Sequence, residues 1–268
     1  EQIAMTLEEG ICLYAQKTPD KTAVICYEDK ISYSDLWNMI IERAGLMNQD
    51  GLRKGMPYVF RASQDIDFII NYCAIHYLGA IAVPLEHQAL QVNFISIQKE
   101  VGGCDIPADI QDILYTTGTT GKSKGVMLSR TALESCADNF ISDMHYTDEL
   151  LYIISGPLNH IASLFKIHPV LIAGGTVCIL DGLKDINAFF DVFRLPYNKV
   201  ATFMVPASLR LLMEFSYDKL CAVADRIDFI ETGAAPITGK DMERLAKALP
   251  HSRLYNTLGG TEIGAVCT

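Results

Sequence analysis

Ten consecutive residues, Thr116-Thr117-Gly118-Thr119-Thr120-Gly121-Lys122-Ser123-Lys124-Gly125, concentrate the groups that hold a polyanion. Glycines let the backbone approach an anion closely and turn its N–H groups inward. The hydroxyls add further donors, and the lysines supply compact positive charge. An apolar strand-like run at 112–115 feeds the segment, and Val126-Met127-Leu128 follows it at once. It therefore reads as a turn between ordered elements, built to cradle the phosphates of a nucleotide, and not as a solvated linker.

Two kinds of phosphate loop compete for these residues. A Walker A loop needs a glycine five residues before the Gly-Lys-Ser ending, and that position is Thr116. Such a loop also opens directly into a helix, whereas 124–128 has the apolar pattern of another strand. The Walker pattern fails on both counts, and hydrolysis of ATP to ADP would be needed to revive it.

The elements that must position this turn alternate along the chain. Strands are expected at 21–27, 31–33, 58–62, 80–85 (ended by Pro84), 113–116, 150–154, 176–180, 201–205 and 227–231. Helices are expected over 35–47 (capped by Ser34), 65–78, 132–143 and 240–249. This alternation predicts an α/β fold, with layered, mostly parallel sheets flanked by helices. A boundary near residue 150 would divide it into two α/β subdomains, 1–150 and 151–268. In such sheets ligands bind beyond the carboxyl ends of the strands, where the turn at 116–125 lies.

Composition excludes several other classes. A net charge of −10 with no basic block argues against a protein that coats nucleic acid. No apolar run approaches the ~20 residues of a membrane span, and the acidic first ten residues do not resemble a secretory signal. The cysteines at 12, 26, 73, 104, 136, 178, 221 and 267 form no Cys-x-x-Cys and sit in apolar runs. Buried, reduced thiols and a cytoplasmic location are the expectation.

The segment from Tyr115 to Val126 closely resembles the signature loop of the adenylate-forming superfamily, which includes acyl-CoA synthetases, luciferases and peptide-synthetase adenylation domains. Ser123 stands where that pattern usually has proline. Other segments resemble family motifs in the expected order. They are Gly79–Leu85 (an early strand), Pro157-Leu158-Asn159-His160, Gly233-Ala234-Ala235-Pro236 and Tyr255-Asn256-Thr257-Leu258-Gly259-Gly260-Thr261-Glu262.

The resemblance implies an N-terminal AMP-binding domain over 1–268. It would activate a carboxylic acid with ATP as an acyl-adenylate and then form a thioester, with CoA or a carrier-protein thiol as acceptor; fatty-acid metabolism is the setting it suggests. It implies nucleotide contacts from Thr116, Thr117, Gly118, Thr119, Thr120, Gly121 and Lys122. Further nucleotide contacts would come from Gly233, Ala234, Ala235, Asn256, Thr257, Leu258 and Gly259. It places Lys124, His160, Thr261 and Glu262 in catalysis, with Glu262 as the Mg²⁺ ligand, a hard oxygen donor for a hard cation. Leu258 replaces an aromatic residue that usually packs on adenine, leaving an apolar wall without a ring.

The family's ribose-binding Asp, hinge and catalytic lysine lie beyond its Thr-Glu motif, and this sequence ends six residues after Glu262. The small C-terminal lid is therefore expected to be absent, and the isolated chain to be weakly active. A non-catalytic nucleotide-binding module is the alternative. The short stretch between Leu85 and 110, containing Val101-Gly102-Gly103-Cys104-Asp105, is either a natural short loop or a splice.

Overall fold

The computed structural model describes residues 4–116 and 123–267, with side chains through Ile263. Residues 117–122, the centre of the expected phosphate turn, lie outside the described residues.

Strands β1 (Thr22–Cys26), β2 (Asp29–Ser32), β3 (Pro57–Ala62), β4 (Ile81–Glu86), β5 (Ile110–Thr116) and β6 (Lys124–Ser129) come first. They are followed by β7 (Leu150–Ile154), β8 (Thr176–Ile179), β9 (Lys199–Met204), β10 (Ile227–Gly233), β11 (Arg253–Gly260) and β12 (Gly264–Cys267). Among the described residues they form an eight-stranded sheet, β12-β11-β10-β9-β7-β8-β1-β2, and a four-stranded sheet, β3-β4-β5-β6. The pairings are parallel except at β11–β12, β1–β2 and β5–β6. Helices connect the parallel strands, as such crossovers require. Because β1 and β2 sit with the C-terminal strands, sheet membership does not follow a cut at residue 150.

Several local expectations are corrected. Ser32, not Ser34, caps the second helix (Tyr33–Gln49), accepting a bond from the Asp35 N–H. Pro84 does not end its strand. It lies inside β4, past the Ala82–Asp112 pair that joins β4 to β5, and β3 holds the other edge as far as Glu86. The 86–109 stretch contains a helix, Gln91–Gly102, so Val101 and Gly102 finish a helical turn. Of the cysteines with described side chains, Cys26, Cys73 and Cys178 are buried, whereas Cys104 and Cys221 are exposed. An apolar neighbourhood in sequence does not decide which face of a helix meets solvent.

The Ile66–Tyr77 helix is buried on nearly every side, including Phe68, Ile69, Ile70, Cys73, Ala74 and Ile75. It also buries Tyr72 and His76, whose polar atoms need partners at that depth. Asp112, fully buried on β5, supplies them. Tyr72 Oη donates to Asp112 Oδ2 at 2.6 Å, and His76 Nε2 donates to Oδ1 at 2.7 Å. Having given its proton to Asp112, the Tyr72 hydroxyl accepts at 2.9 Å from His168 Nε2, which therefore carries the hydrogen. On the other side Glu8 Oε1 lies 3.4 Å from His76 Nδ1, at ion-pair distance but without hydrogen-bond geometry, and neither atom has another partner among the described residues. Glu8 and His168 come from other helices, so this chain ties four elements together.

The two histidines are driven in opposite directions. Burial works against the charge on His76, but Asp112 and Glu8 outweigh it and push its pKa up to about 9. Burial pulls His168 down to about 4, and the charge on His76 acts in the same sense. For Glu8, burial resists ionisation, yet the His76 contact holds its carboxyl below the ordinary range. The raised His76 contributes stability that is complete below an unfolded value near 6.5 and is lost as pH rises through about 9. The depressed His168 contributes above that same value and loses its share as pH falls through about 4, where Glu8 adds to the loss. The thermal midpoint is therefore expected to peak near pH 6.5 (roughly the free histidine value) and to fall on both sides. His168→Gln, which keeps an N–H donor but does not titrate, should flatten the acid limb. Melting curves across this range that rise or fall monotonically would refute the assignment.

Candidate functional site

The carboxyl ends of β7, β9, β10 and β11 lie side by side at one edge of the large sheet, because those strands are adjacent and parallel. Against that edge stand β6 of the small sheet and the Arg130–Asp143 helix. Between them is a cavity of about 740 Å³. Its lining gathers segments far apart in sequence, from Met127, Leu128 and Ser129 on β6 through His160 and Ala234 to Thr257 and Gly259–Glu262.

The turn after β10 is shaped by close approach. Gly233 pairs with Thr257 across the parallel ladder. A Cβ on Gly233 would lie 2.5 Å from the Thr257 carbonyl oxygen, so only glycine fits there. Ala234 then adopts φ +64°, a left-handed conformation unusual for a residue with a side chain. Such strain persists where the surroundings dictate it, and functional turns are a common place for it. Thr257 carries a buried Oγ1 with no hydrogen-bond partner among the described residues. A hydroxyl in that state on a cavity wall fits a polar ligand.

His160 caps a short helix after β7, its carbonyl accepting from the Ser163 and Leu164 N–H groups, and its side chain is exposed at the cavity. Glu262 is also exposed on the lining, with Thr261 beside it half-buried. Among the described residues no group of three or more His, Cys, Asp or Glu forms a metal cluster. The Glu262 carboxylate fits a cation shared with ligand phosphates, since Mg²⁺ takes one or two carboxylates along with phosphate oxygens and water.

The structure thus brings His160, Ala234, Thr257, Gly259, Thr261 and Glu262 into one cavity. Lys124 and Thr116 stand opposite each other at the base of the β5–β6 hairpin, held by a bond from Ser123 Oγ to the Thr116 carbonyl at 3.1 Å. They do not line the cavity, although β6 continues from Lys124 into its wall. That hairpin bears out the strand expected after the turn. Thr117, Gly118, Thr119, Thr120, Gly121 and Lys122 lie outside the described residues. Gly233 supports the site from below, and Ala235 and Asn256 are exposed beside it without lining it. Leu258 is 61% exposed and is not among the lining residues.

Sequence reasoning missed the buried ion pair on the cavity wall. Lys166 and Glu231 are both buried and lie 2.6 Å apart, Nζ to Oε2. Lys166 Nζ also sits 4.1 Å from the Phe140 ring centroid and 5.6 Å from that of Phe203, within cation–π range. Burial pulls the Lys166 pKa below the ordinary value, and Glu231 works against that fall. The available signal was a lone cation in the apolar run 161–172 and a carboxylate, Glu231, deep in the buried strand 227–233.

Comparison with known proteins follows the geometry. The family model for AMP-binding enzymes matches residues 88–268, and the chain belongs to that family. It is 20% identical to the D-alanine–D-alanyl carrier protein ligase of Bacillus licheniformis, over 98% of this chain and 60% of that protein. It is 30% identical to the 4-coumarate–CoA ligase-like 6 of Arabidopsis thaliana, over 66% of this chain and 33% of that protein. The chain thus spans about three-fifths of the first relative's length and a third of the second's. In fold it is similar to apo MatB from Rhodopseudomonas palustris, with TM-score 0.82 and 21% identity over 97% of this chain and 61% of that one. The N-terminal subdomain of Klebsiella oxytoca NpsA in complex with 3-hydroxyanthranilyl-AMSN matches with TM-score 0.83 and 19% identity, over 98% of this chain and 75% of that one. The fold is that of the N-terminal domain of acyl-CoA synthetase-like enzymes. No helix among the described residues is long and apolar enough to cross a membrane.

Removing one partner of a buried ion pair strands the other charge. Lys166→Met should therefore cost about 3–5 kcal/mol in chemical denaturation, and the double variant Lys166→Met/Glu231→Gln should recover more than half of that loss. Equal stability of the single and double variants would show that the pair is not coupled.

Proposed function

We propose that this chain is the nucleotide- and acid-binding part of an ATP-dependent acid–thiol ligase. A bound carboxylate attacks the α-phosphorus of ATP. The acyl C–O–P bond forms, the Pα–O–Pβ bond breaks, and pyrophosphate leaves with the electron pair. The thiol of CoA, or of a carrier-protein phosphopantetheine, then displaces AMP. His160 tilts the choice toward CoA through the resemblance of its Pro-Leu-x-His segment to that of CoA ligases. Use of ATP and of an intracellular thiol makes the cytoplasm the expected place of action.

One observation carries this proposal: three separated segments with family-like motifs converge on a single cavity, and β6, which follows the phosphate turn, forms part of its wall. In it, the Gly233–Ala235 turn and Thr257 hold the nucleoside end. Thr261 donates to phosphate, and His160 flanks the acid. Lys124 and the phosphate-turn residues supply donors and positive charge to the triphosphate, where two anions must approach each other and cationic groups stabilise the growing charge. Mg²⁺, when bound, would neutralise phosphate oxygens beside the Glu262 carboxylate.

Calorimetric titration tests the assignment. Wild-type chain should bind ATP·Mg²⁺. Glu262→Ala should weaken that binding by about tenfold, the loss expected for one charge-assisted contact, while leaving metal-free AMP binding within twofold of wild type (a difference of about 0.4 kcal/mol). Lys124→Ala should weaken ATP more than AMP. Both residues are exposed, so neither change should lower the thermal midpoint appreciably. Absence of ATP binding by wild type, or unchanged ATP affinity in both variants, removes the assignment.

A further inference from the structure

The deep end of the cavity is chemically unlike its mouth. Glu231 precedes Ala234 by three residues of extended strand, which at about 3.3 Å per residue sets it roughly 10 Å below the turn. At that depth the walls are aromatic, with Phe140, Phe165 and Phe203 lining the cavity. Phe140 and Phe165 meet edge to face with centroids 5.3 Å apart. Set among these rings is the Lys166–Glu231 pair, whose side chains are 4% and 1% exposed.

We propose that this pair is a specificity element for the acid. It receives a neutral hydroxyl carried at the end of the substrate remote from its carboxylate, on a compact, flat body that fits between the phenylalanine rings. This rests on the cavity being the acid- and nucleotide-binding site proposed above.

The charge balance selects the chemistry. A hydroxyl can donate to Glu231 and accept from Lys166 at once, leaving the ion pair intact. The bonds from Lys166 and Tyr152 both end on Oε2 of Glu231, at 2.6 and 3.4 Å; the other carboxylate oxygen is the one to meet a ligand donor. A second carboxylate on the substrate would compete with Glu231 for one ammonium and set two anions together. A substrate ammonium would do the reverse to Lys166. A plain alkyl or aryl end would displace water from the pair and return no hydrogen bond, an outcome a buried polar site rejects strongly. A long alkyl chain would run straight onto the pair.

The test uses the intact chain and calorimetric titration. AMP is titrated first, then matched pairs of acyl-sulfamoyladenosines that share the nucleoside and differ only at the acyl end. These are meta- and para-hydroxyphenylpropanoyl, phenylpropanoyl and decanoyl forms. At least one hydroxylated form should bind about tenfold or more tightly than the phenylpropanoyl form, and the decanoyl form should bind weakest. In Lys166→Met/Glu231→Leu, with folding checked by circular dichroism, that preference should vanish or reverse. If the double variant does not fold, the wild-type comparison decides alone. AMP binding with all acyl forms within twofold, or with the decanoyl form tightest, overturns the specificity proposal and leaves the nucleotide site standing. A preference that survives in the folded double variant also overturns it. Failure of AMP itself to bind overturns both.

Discussion

A carboxylate with no solvent exposure, Asp112, sets the terms for much of this molecule. It needs donors on both oxygens, and it takes them from Tyr72 and His76 on a helix buried on nearly every side. Those two then need partners of their own, which Glu8 and His168 supply from two further helices. The hydrogen bonds are directional, so the helix is locked in rotation as well as in place. An all-apolar interface would have tolerated sliding. The strand thus anchored, β5, is the one that runs into the hairpin at Thr116.

The second constraint is the order of strands in the large sheet. Adjacent parallel strands necessarily bring their carboxyl ends to one edge, and the loops leaving β7, β10 and β11 carry His160, Ala234 and Glu262 to that edge. The cavity is closed from the other side by β6 and the Arg130–Asp143 helix, so neither sheet makes the site alone. In the proposed function, its polar rim takes the nucleotide and its aromatic depth takes the acid. The buried Lys166–Glu231 pair is costly to desolvate, and such pairs add little to stability compared with apolar replacements. Its position on the cavity wall accounts for its presence better than stability does.

Much of this was legible in the sequence. Alternating apolar runs and breaks marked most of the strands, since the period of two depends only on where neighbouring side chains point. The β5–β6 connection was visible as a turn between two strands because the apolar runs on either side of its glycines and lysines are a local signal. Errors arose where a choice depends on remote contacts. Ser32 and Ser34 are equally good caps by type, and only the strand pairing of β2 decides between them. Pro84 was expected to end a strand that its neighbour β3 in fact prolongs.

By itself, then, the sequence determined the alternating α/β character, the family and the turn between β5 and β6, because each depends on chemistry between near neighbours. Tertiary structure alone decided which distant residues meet. Lys166 and Glu231 are 65 residues apart and carry opposite charges inside apolar runs. Nothing local distinguishes a pair from two isolated liabilities. Their meeting follows from β10 lying beside β9 and β9 beside β7, an order written in the crossovers of the whole sheet and not in any one segment.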